Sequence, residues 1–292
     1  MPIFNSELQS LALIKRGKVR DIYAVDDQHM LIVATDRLSA FDVILANPIP
    51  DKGAVLTAVS NFWFDFTETL IANHRSSSNI KLADILSVDE YQAVKQQAII
   101  VKKLKPLPIE AIVRGYLVGS GWKDYKHSGG ISGIMLPKGL QLADKLSTAI
   151  YTPSSKADLG EHDENISFSD TCKLITTELA EQVRDMSLEI YHRARDYALT
   201  RGIIIADTKF EFGLDENNQL VLIDEVLTPD SSRFWPVDQY QVGISPPSFD
   251  KQFVRDYLET LDWNKQPPAP LLPSNIIEKT AAKYREAQQR LI

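Results

Sequence analysis

In residues 14–35, short apolar runs alternate with polar breaks, a pattern that predicts strands joined by turns. The N-terminal part of the chain is therefore expected to begin as a sheet. From Gly53 the apolar spacing changes to that of one helical face and predicts a helix that ends near His74. The positions on this face are Val55, Val59, Phe62 and Phe66.

Two further strands are predicted over residues 98–104 and 109–117. The link between them, KPLP, contains two prolines, which restrict its backbone, and a short link of this kind can join two lobes. We therefore expect an N-terminal sheet lobe over residues 1–105. Residues 106–292 are expected to form a larger mixed α/β lobe that ends in C-terminal helices.

The second half of the chain predicts helices followed by a hairpin. Residues 169–200 have mostly helical sequence, and the run is long enough for two helices. Residues 203–214 and 220–227 are nearly continuous apolar runs on either side of a polar turn, which predicts a strand pair.

Composition limits the function classes that fit. The chain has 292 residues, of which 44% are apolar and 24% charged, as in ordinary globular proteins. Its net charge of −7 argues against a protein that coats nucleic acid, because phosphate contacts need a basic surface. The single cysteine, Cys172, cannot form an internal disulfide, so a cytoplasmic location is the default expectation. No long apolar run predicts an export signal or a membrane span.

Charged side chains are concentrated in the predicted hairpin. Strand alternation places Asp207, Lys209 and Glu211 on one face. If the turn is centred between Glu216 and Asn217, Asp224 lies opposite Lys209, whereas a shift of one residue presents Glu225 instead. A solvent-exposed face with cross-strand ion pairs is the simpler interpretation.

The apolar runs that lead into these acids favour a different interpretation. Runs of this kind belong in a covered sheet, where carboxylates are unfavourable unless a cation compensates them. Mg²⁺ prefers oxygen ligands and usually retains water and substrate phosphates. We therefore hypothesise that the hairpin holds Mg²⁺ for a nucleotide, with Lys209 available to contact a phosphate oxygen.

Two other groups of residues suit anions. Gly17, at a turn between strands, is followed by Lys18 and Arg20, which are expected on the same strand face and could close over a polyphosphate, although an ordinary surface turn has the same composition. Arg114 ends an apolar strand shortly before Ser120, which lies between two glycines.

A further arginine, Arg233, follows a turn that carries Asp230, Ser231 and Ser232. It is also a candidate for binding an anion. Capping of the turn by the two hydroxyl groups is the alternative explanation for this segment.

Seven segments together resemble the phosphoribosylaminoimidazole-succinocarboxamide synthase (SAICAR synthetase) family of purine biosynthesis, in its longer, yeast-like form. They are GKVRDIY, ATDRLSAFD, IPDKG, VKKLKPLPIEAIVRGYLVGSGW, DENISF, IIIADTKFEFG and IDEVLTPDSSRFWP. The resemblance implies an α+β, two-lobed ATP-grasp-like fold with the nucleotide between the lobes. It also implies an ATP-dependent ligase that joins L-aspartate to the carboxylate of carboxyaminoimidazole ribotide (CAIR) and gives SAICAR, ADP and phosphate.

The same resemblance assigns roles to particular residues. It implies that Lys18 and Arg20, beside Gly17, contact the ATP phosphates, and that the backbone at Lys102, Lys103 and Leu104 meets adenine. It implies that Glu211 and Asp224 bind Mg²⁺, with Asp207 and Lys209 beside the reacting phosphate. Arg114, Ser120 and Arg233 resemble the residues that hold the ribotide phosphate, and Ser39 and Asp163 are expected near L-aspartate.

The chemistry requires such groups independently of the resemblance. A carboxylate cannot accept an amine directly, so the γ-phosphoryl group of ATP is expected to form an acyl phosphate first, which brings two anions together. Asp207 could accept the amine proton or orient the metal shell. There are two alternatives. One is a small-molecule kinase with the same ATP site, and the other is a nucleotide-binding regulatory protein without turnover. The expected partners are small molecules, with the chain a monomer or small homo-oligomer.

Overall fold

The structure is a computed structural model that describes residues 2–156 and 164–292. Packing within the chain divides it into two compact units. Unit 1 comprises Met1–Phe62, His74–Lys103 and Phe249–Ile292. Unit 2 comprises Trp63–Asn73 and Leu104–Ser248.

Unit 1 contains a four-stranded antiparallel sheet with the order β1-β2-β3-β6. Its strands are β1 (Leu13–Arg16), β2 (Arg20–Ala24), β3 (His29–Ala34) and β6 (Ala98–Lys102), and a separate hairpin contains β4 (Ser39–Ala40) and β5 (Val43–Ile44). Alternate strand residues Leu31 and Val33 share one face, which packs against Leu86 and Val94. The latter two residues belong to the segment of α2 (Leu82–Ile85) and α3 (Val88–Val94).

A second apolar cluster of unit 1 holds the C-terminal helices. These helices are α7 (Gln252–Glu259) and α8 (Ser274–Leu291). Val254 and Leu258 of α7 pack with Leu38, Leu45 and Ile49 of the N-terminal region. Burial of these side chains places the C-terminal segment in unit 1, which differs from the expected lobe over residues 106–292.

The division between the units falls within α1 (Lys52–Thr67). This helix confirms the helical spacing that begins at Gly53, although it ends at Thr67 rather than near His74.

Unit 2 contains a seven-stranded antiparallel sheet in which β13 is the longest strand. The strands are β7 (Lys105–Pro106), β8 (Ile109–Tyr116), β11 (Lys145–Tyr151), β12 (Ser154–Ser155), β13 (Ile203–Leu214), β14 (Leu220–Ile223) and β15 (Ser232–Pro236). One edge of β13 pairs with β8 and β7, and the other pairs with β15 and β14. A small separate hairpin consists of β9 (Gly130–Ile131) and β10 (Ile134–Met135).

The helices of unit 2 are α4 (Gly119–Ser128), α5 (Phe168–Ile175) and α6 (Thr177–Thr200), and a short 3₁₀ helix spans Val237–Gln239. Helix α6 packs against β8, β11 and β13 of the sheet, and α5 packs against α6. The two helices predicted over residues 169–200 are thus confirmed. Tyr191 of α6 donates a hydrogen bond to the carbonyl of Ile205 at 2.8 Å. Gly115 permits this close approach, because a Cβ there would lie 1.9 Å from the Tyr191 hydroxyl.

These elements confirm the α+β class, with an antiparallel sheet in the N-terminal unit. In the part of the chain that the structure describes, no helix has both the length and the apolar character needed to span a bilayer.

Candidate active site

Strand β13 brings three of the predicted residues into register. Asp207 pairs with Arg114 of β8 on one side and with Arg233 of β15 on the other. Asp207 and Arg114 are almost completely buried, at 5% and 2% exposure. The antiparallel register therefore places one buried carboxylate between two guanidinium groups.

Both arginines donate to the same oxygen of Asp207. Arg114 Nη1 lies 3.1 Å from Oδ2, and Arg233 Nη1 also donates to Oδ2. Arg114 continues the network through Nε to the Thr152 hydroxyl and through Nη2 to the Ser120 hydroxyl, each at 2.9 Å. Two guanidinium groups share one carboxylate, so these three side chains carry a net positive charge.

Two features of this group suit an additional anion. Nε of Arg233 is a buried donor that has no acceptor within the described parts of the chain. Ser120 lies in the first turn of α4, where the backbone N–H groups have no partner inside the helix. Helix N-termini favour anions for that reason. The predicted grouping of Arg114, Ser120 and Arg233 is present, and its chemistry fits a phosphate group.

Further along β13, Lys209 lies among carboxylates. Its Nζ is 2.5 Å from Oε1 of Glu110 and 3.3 Å from Oε1 of Glu211. Lys156 Nζ contacts the other oxygen of Glu211 at 2.6 Å, and the Ser154 hydroxyl donates to Oε2 of Glu110 at 3.2 Å. The charges therefore alternate in sign along these contacts, in the order Glu110, Lys209, Glu211 and Lys156.

The electrostatic environment keeps Lys209 charged. Burial alone would lower the pKa of this ammonium, but the carboxylates of Glu211, Glu110 and Asp224 outweigh burial and hold the pKa above its usual range. The carboxylate of Asp207, two residues earlier on β13, accepts hydrogen bonds from the two arginines.

The hairpin adopts the second of the two registers considered from the sequence. Glu211 pairs with Ile223, so the loop of residues 215–219 is centred on Asn217. Extension of this register would bring Glu225 opposite Lys209. Strand β14 ends at Ile223, however, and Asp224 leaves it with a φ of +70°. The charge of Asp224 still acts on Lys209.

The donor set near Lys209 suits a hard cation with few protein ligands. Among residues 2–156 and 164–292, no group of three or more histidine, cysteine and carboxylate side chains is arranged to hold a metal ion. Glu211 and Asp224 supply two carboxylates. This is the small number of protein ligands that Mg²⁺ uses when water and phosphate complete its shell.

The predicted phosphate turn lies in unit 1. Gly17 donates to the carbonyl of Arg20 at 2.7 Å and closes the turn between β1 and β2. Lys18 lies in the turn, so the expectation that it shares a strand face with Arg20 is wrong. Its ammonium is paired with Asp42.

A buried arginine that the sequence analysis did not assign supports this turn. Arg37 donates to the carbonyls of Gly17 and Lys18, each at 3.0 Å, and to Asp21 at 2.8 Å. Its side chain is 2% exposed, and that of Asp21 is fully buried. Arg37 thus holds the backbone of the turn in place.

The remaining predicted residues are those expected near adenine and near L-aspartate. Ser39 lies in β4 and pairs with Ile44. The amides of Lys102 and Lys103 donate to the carbonyls of His74 and Gln28 at 2.8 and 2.7 Å. Leu104 is the first residue of the following segment of unit 2. Asp163 lies outside the described residues.

Glu110 and Lys156 were missed from the sequence, although Glu110 carried a detectable signal. It is a lone acid in the apolar strand IEAIVRGY, four residues before Arg114 and on the same strand face. Lys156 had no such signal, since it follows a strand of only two residues.

Sequence comparison with known proteins finds relatives that all belong to one enzyme family. A sequence profile of the SAICAR synthetase family matches residues 13–270. The phosphoribosylaminoimidazole-succinocarboxamide synthase of Methylococcus capsulatus is 61% identical over 289 residues, covering 99% of this chain and 97% of the relative. That of Thioalkalivibrio sulfidiphilus is 60% identical over 290 residues, with 99% and 98% covered.

The fold is also similar to solved structures. The SAICAR synthase of Saccharomyces cerevisiae, solved in complex with SAICAR, superposes with a TM-score of 0.90 at 43% identity, covering 99% of this chain and 97% of that one. The enzyme from Pyrococcus horikoshii, at 23% identity and a TM-score of 0.67, shows similarity of fold alone and covers 93% of this chain and 96% of that one.

Proposed function

Since this chain belongs to the SAICAR synthetase family, we propose that the two groups of charged residues along β13 bind the ribotide and the reacting phosphate of its reaction. The activity is the ATP-dependent ligation of L-aspartate to the carboxylate of CAIR, which gives SAICAR, ADP and phosphate. The arrangement of Arg114 and Arg233 around Asp207 is the structural observation that carries the residue assignment.

Arg114, Ser120 and Arg233 bind the phosphate of the ribotide in this proposal. The excess of guanidinium charge over carboxylate charge attracts an anion, and the buried Nε of Arg233 supplies a donor. Arginine forms bidentate, charge-assisted hydrogen bonds with phosphate. Because Oδ2 of Asp207 accepts from both guanidinium groups, its role is to orient them rather than to accept a proton.

Lys209, Glu211 and Asp224 act at the phosphoryl group that is transferred. Glu211 and Asp224 hold Mg²⁺, which when bound neutralises phosphate charge. The ammonium of Lys209 has three N–H donors, of which Glu110 and Glu211 take two, so one is available to a phosphate oxygen. Positive charge there lets the carboxylate of CAIR approach ATP and form the acyl phosphate.

ATP binding involves the turn of unit 1. Gly17, Lys18 and Arg20 contact the ATP phosphates, and the backbone at Lys102, Lys103 and Leu104 meets adenine. Release of Lys18 from its exposed pair with Asp42 requires little free energy, because surface ion pairs contribute about 0 to 1 kcal/mol.

We place Ser39 and Asp163 near L-aspartate. The amine of L-aspartate attacks the acyl carbon of the acyl phosphate, and phosphate leaves.

We also propose that the protein is cytoplasmic, because its single cysteine makes a reducing compartment the default, and that it is a monomer or a small homo-oligomer.

Product formation tests the assignment of substrates. Purified chain is incubated with Mg²⁺, ATP, CAIR and L-aspartate, each omitted in turn, while ADP release is followed and the product is identified by mass. We expect ADP release to require all components and the mass to be that of SAICAR. Release that continues undiminished without L-aspartate, with phosphorylated CAIR as a stable product, would instead indicate a kinase.

A further inference from the structure

We propose that Thr152 is a positioning residue that orients the guanidinium of Arg114 toward the phosphate of the ribotide. This inference rests on the proposed role of Arg114 in binding that phosphate. It gives a specific task to a side chain that binds neither substrate nor metal in the proposed function and that acts through Arg114.

The backbone places Thr152 beside Arg114. Thr152 directly follows β11, is completely buried, and donates its amide to the carbonyl of Ile112 on β8 at 2.8 Å. Ile150 pairs with Arg114, so Thr152, two residues further along, lies diagonally across from Arg114 on the same face of the sheet. Diagonal neighbours on adjacent strands are within reach of a long side chain. The Thr152 hydroxyl accordingly accepts a hydrogen bond from Nε of Arg114 at 2.9 Å.

The three acceptors of Arg114 differ in their other tasks. Within residues 2–156 and 164–292, Nε donates to Thr152, Nη1 to Asp207 and Nη2 to Ser120. Asp207 uses the same oxygen for Arg233, and Ser120 belongs to the proposed phosphate site. Arginine has five N–H groups, so these contacts leave one N–H on each Nη for an anion, whereas the single N–H of Nε is used by Thr152. Of these acceptors, the Thr152 hydroxyl is therefore the one that serves Arg114 alone.

The rigid plane of the guanidinium transmits this contact to the phosphate. Nε, Nη1 and Nη2 lie in one plane, so an acceptor at Nε sets the directions in which the other N–H groups point. Because threonine is neutral, the contact holds Arg114 without reducing the positive charge that attracts the phosphate. Arg114 is 2% exposed, and a buried donor that loses its acceptor is unfavourable. Loss of the Thr152 hydroxyl is therefore expected to turn the guanidinium and to misalign its N–H groups with the phosphate.

Thr152→Val tests the inference by exchanging the hydroxyl for a methyl group of similar size. A carbon atom in place of Oγ1 would lie 2.9 Å from Nε, inside the roughly 3.5 Å at which nonbonded atoms without a hydrogen bond pack, so the guanidinium has to move. We expect the KM for CAIR to rise on the order of tenfold, as for one weakened hydrogen bond to a charged group, while the KM for ATP changes little. Steady-state kinetics of the full chain, with each substrate varied in turn, measures both values.

Two further variants separate the hydroxyl from the rest of the side chain. Thr152→Ser keeps the acceptor, so we expect the KM for CAIR to stay close to that of the unmodified chain. Thr152→Ala removes the acceptor without placing a methyl group against Nε, so the KM for CAIR should rise, but by less than in Thr152→Val. Should Thr152→Val not fold, the comparison of Thr152→Ala with Thr152→Ser decides alone. An unchanged KM for CAIR in Thr152→Ala and Thr152→Val, or an equal rise in Thr152→Ser and Thr152→Ala, overturns the inference.

Thr280→Val is the matched control for loss of a buried hydroxyl. Thr280 is completely buried in α8 of unit 1, and its hydroxyl donates to the carbonyl of Ile276 at 2.7 Å. This variant should be less stable than the unmodified chain but have the same KM for CAIR. If Thr280→Val raises the KM for CAIR as much as Thr152→Val, or if Thr152→Val raises the KM values for CAIR and ATP by the same factor, general loss of stability is the cause and the inference is overturned.

Failure of the underlying phosphate assignment gives a different result. Arg233→Gln and Ser120→Ala change the proposed phosphate site directly, and each is expected to raise the KM for CAIR. If neither does, the phosphate is bound elsewhere and the inference falls with the assignment. If both raise it while Thr152→Val and Thr152→Ala have no effect, the phosphate assignment stands and only the role of Thr152 is refuted.

Discussion

Gly119 lies so close to Arg233 that no side chain fits between them, since a Cβ at position 119 would be 2.4 Å from Nη2 of the guanidinium. Gly119 also has a φ of +62°, in the region that favours glycine. The guanidinium thus packs against bare backbone at the start of α4, in the position from which it donates to Asp207.

Gly119→Ala should therefore weaken binding of the ribotide. The methyl group displaces the Arg233 guanidinium, and loss of one charged hydrogen bond of about 1.5 to 3 kcal/mol corresponds to roughly a tenfold or greater loss of affinity. We expect the KM for CAIR to rise on the order of tenfold while the KM for ATP changes little. Steady-state kinetics with each substrate varied in turn measures both values.

Gly139→Ala is the control for backbone strain. Gly139 has a φ of +87°, but a Cβ there would meet no atom within 4 Å. Both substitutions therefore strain the backbone, and only the one at position 119 displaces an arginine. An equal rise in the KM for CAIR in both variants would show that strain alone, rather than contact with Arg233, causes the effect.

Asp207→Asn should destabilise the protein strongly. The substitution leaves two guanidinium groups, one of them 98% buried, without a counter-charge, and loss of one partner of a buried pair lowers the free energy of unfolding by about 3 to 5 kcal/mol. Urea unfolding at pH 7 measures the change. Asp185→Asn removes the same charge from an exposed pair with Arg184 and should lower this free energy by about 1 kcal/mol or less. Similar losses in the two variants would contradict the proposed difference.

The residue types of the site could be predicted from the sequence, but not all of their contacts. Asp207 and Arg114 are 93 residues apart, and only the pairing of β8 with β13 brings them together. Alternation along one strand grouped Asp207 with Lys209, whereas their partners lie on different parts of neighbouring strands. Strand alternation determines which face a side chain occupies, and tertiary pairing determines what it contacts.

The hairpin register depended on details of its loop. The side chain of Asp215 accepts hydrogen bonds from the amides of Asn217 and Gln219, and Asn218 has a φ of +59°. These interactions stabilise a five-residue loop and shift the register by one position. Aspartate and asparagine are typical of turns, but their presence alone does not fix the number of residues in the loop. The apolar runs were therefore enough to predict the two strands, but the turn residues were not enough to predict their register.

Arg37→Lys should loosen the turn that carries Lys18. A lysine keeps the charge opposite Asp21 but cannot reach the carbonyls of Gly17 and Lys18 with the same planar fork of donors. We expect the free energy of unfolding to fall by about 3 kcal/mol, as for two lost hydrogen bonds from a charged donor. We also expect the KM for ATP to rise and the KM for CAIR to remain unchanged.

Arg16→Lys provides the comparison for Arg37. Arg16 lies 3.4 Å from the same carboxylate of Asp21, and its side chain is 38% exposed. This variant should change stability by less than 1 kcal/mol and leave both KM values as they are. If Arg37→Lys and Arg16→Lys have equal KM values for ATP, Arg37 has no role in supporting the phosphate turn.

Glu90 makes the stability of unit 1 depend on pH. Its carboxylate accepts hydrogen bonds from the Ser10 hydroxyl, the Ser87 amide and the Gln9 amide, which lower its pKa to about 2 from an ordinary value of 4.5. A carboxylate with a lowered pKa in the folded state contributes its stabilisation above pH 4.5 and loses it as the pH falls toward 2. Glu90→Gln should therefore be less stable than the unmodified chain at pH 7, and this difference should shrink between pH 4.5 and pH 2.

Urea unfolding at several pH values between 7 and 2.5 measures this convergence. Glu90 is at the protein surface, where solvent screens charge, so the difference at pH 7 is expected to be smaller than that for a buried pair. Asp89→Asn is the control, because Asp89 lies in the same first turn of α3 but outside the capping box that Glu90 forms with Ser87. A stability difference for Glu90→Gln that stays constant across this range would mean that the carboxylate contributes through shape rather than charge.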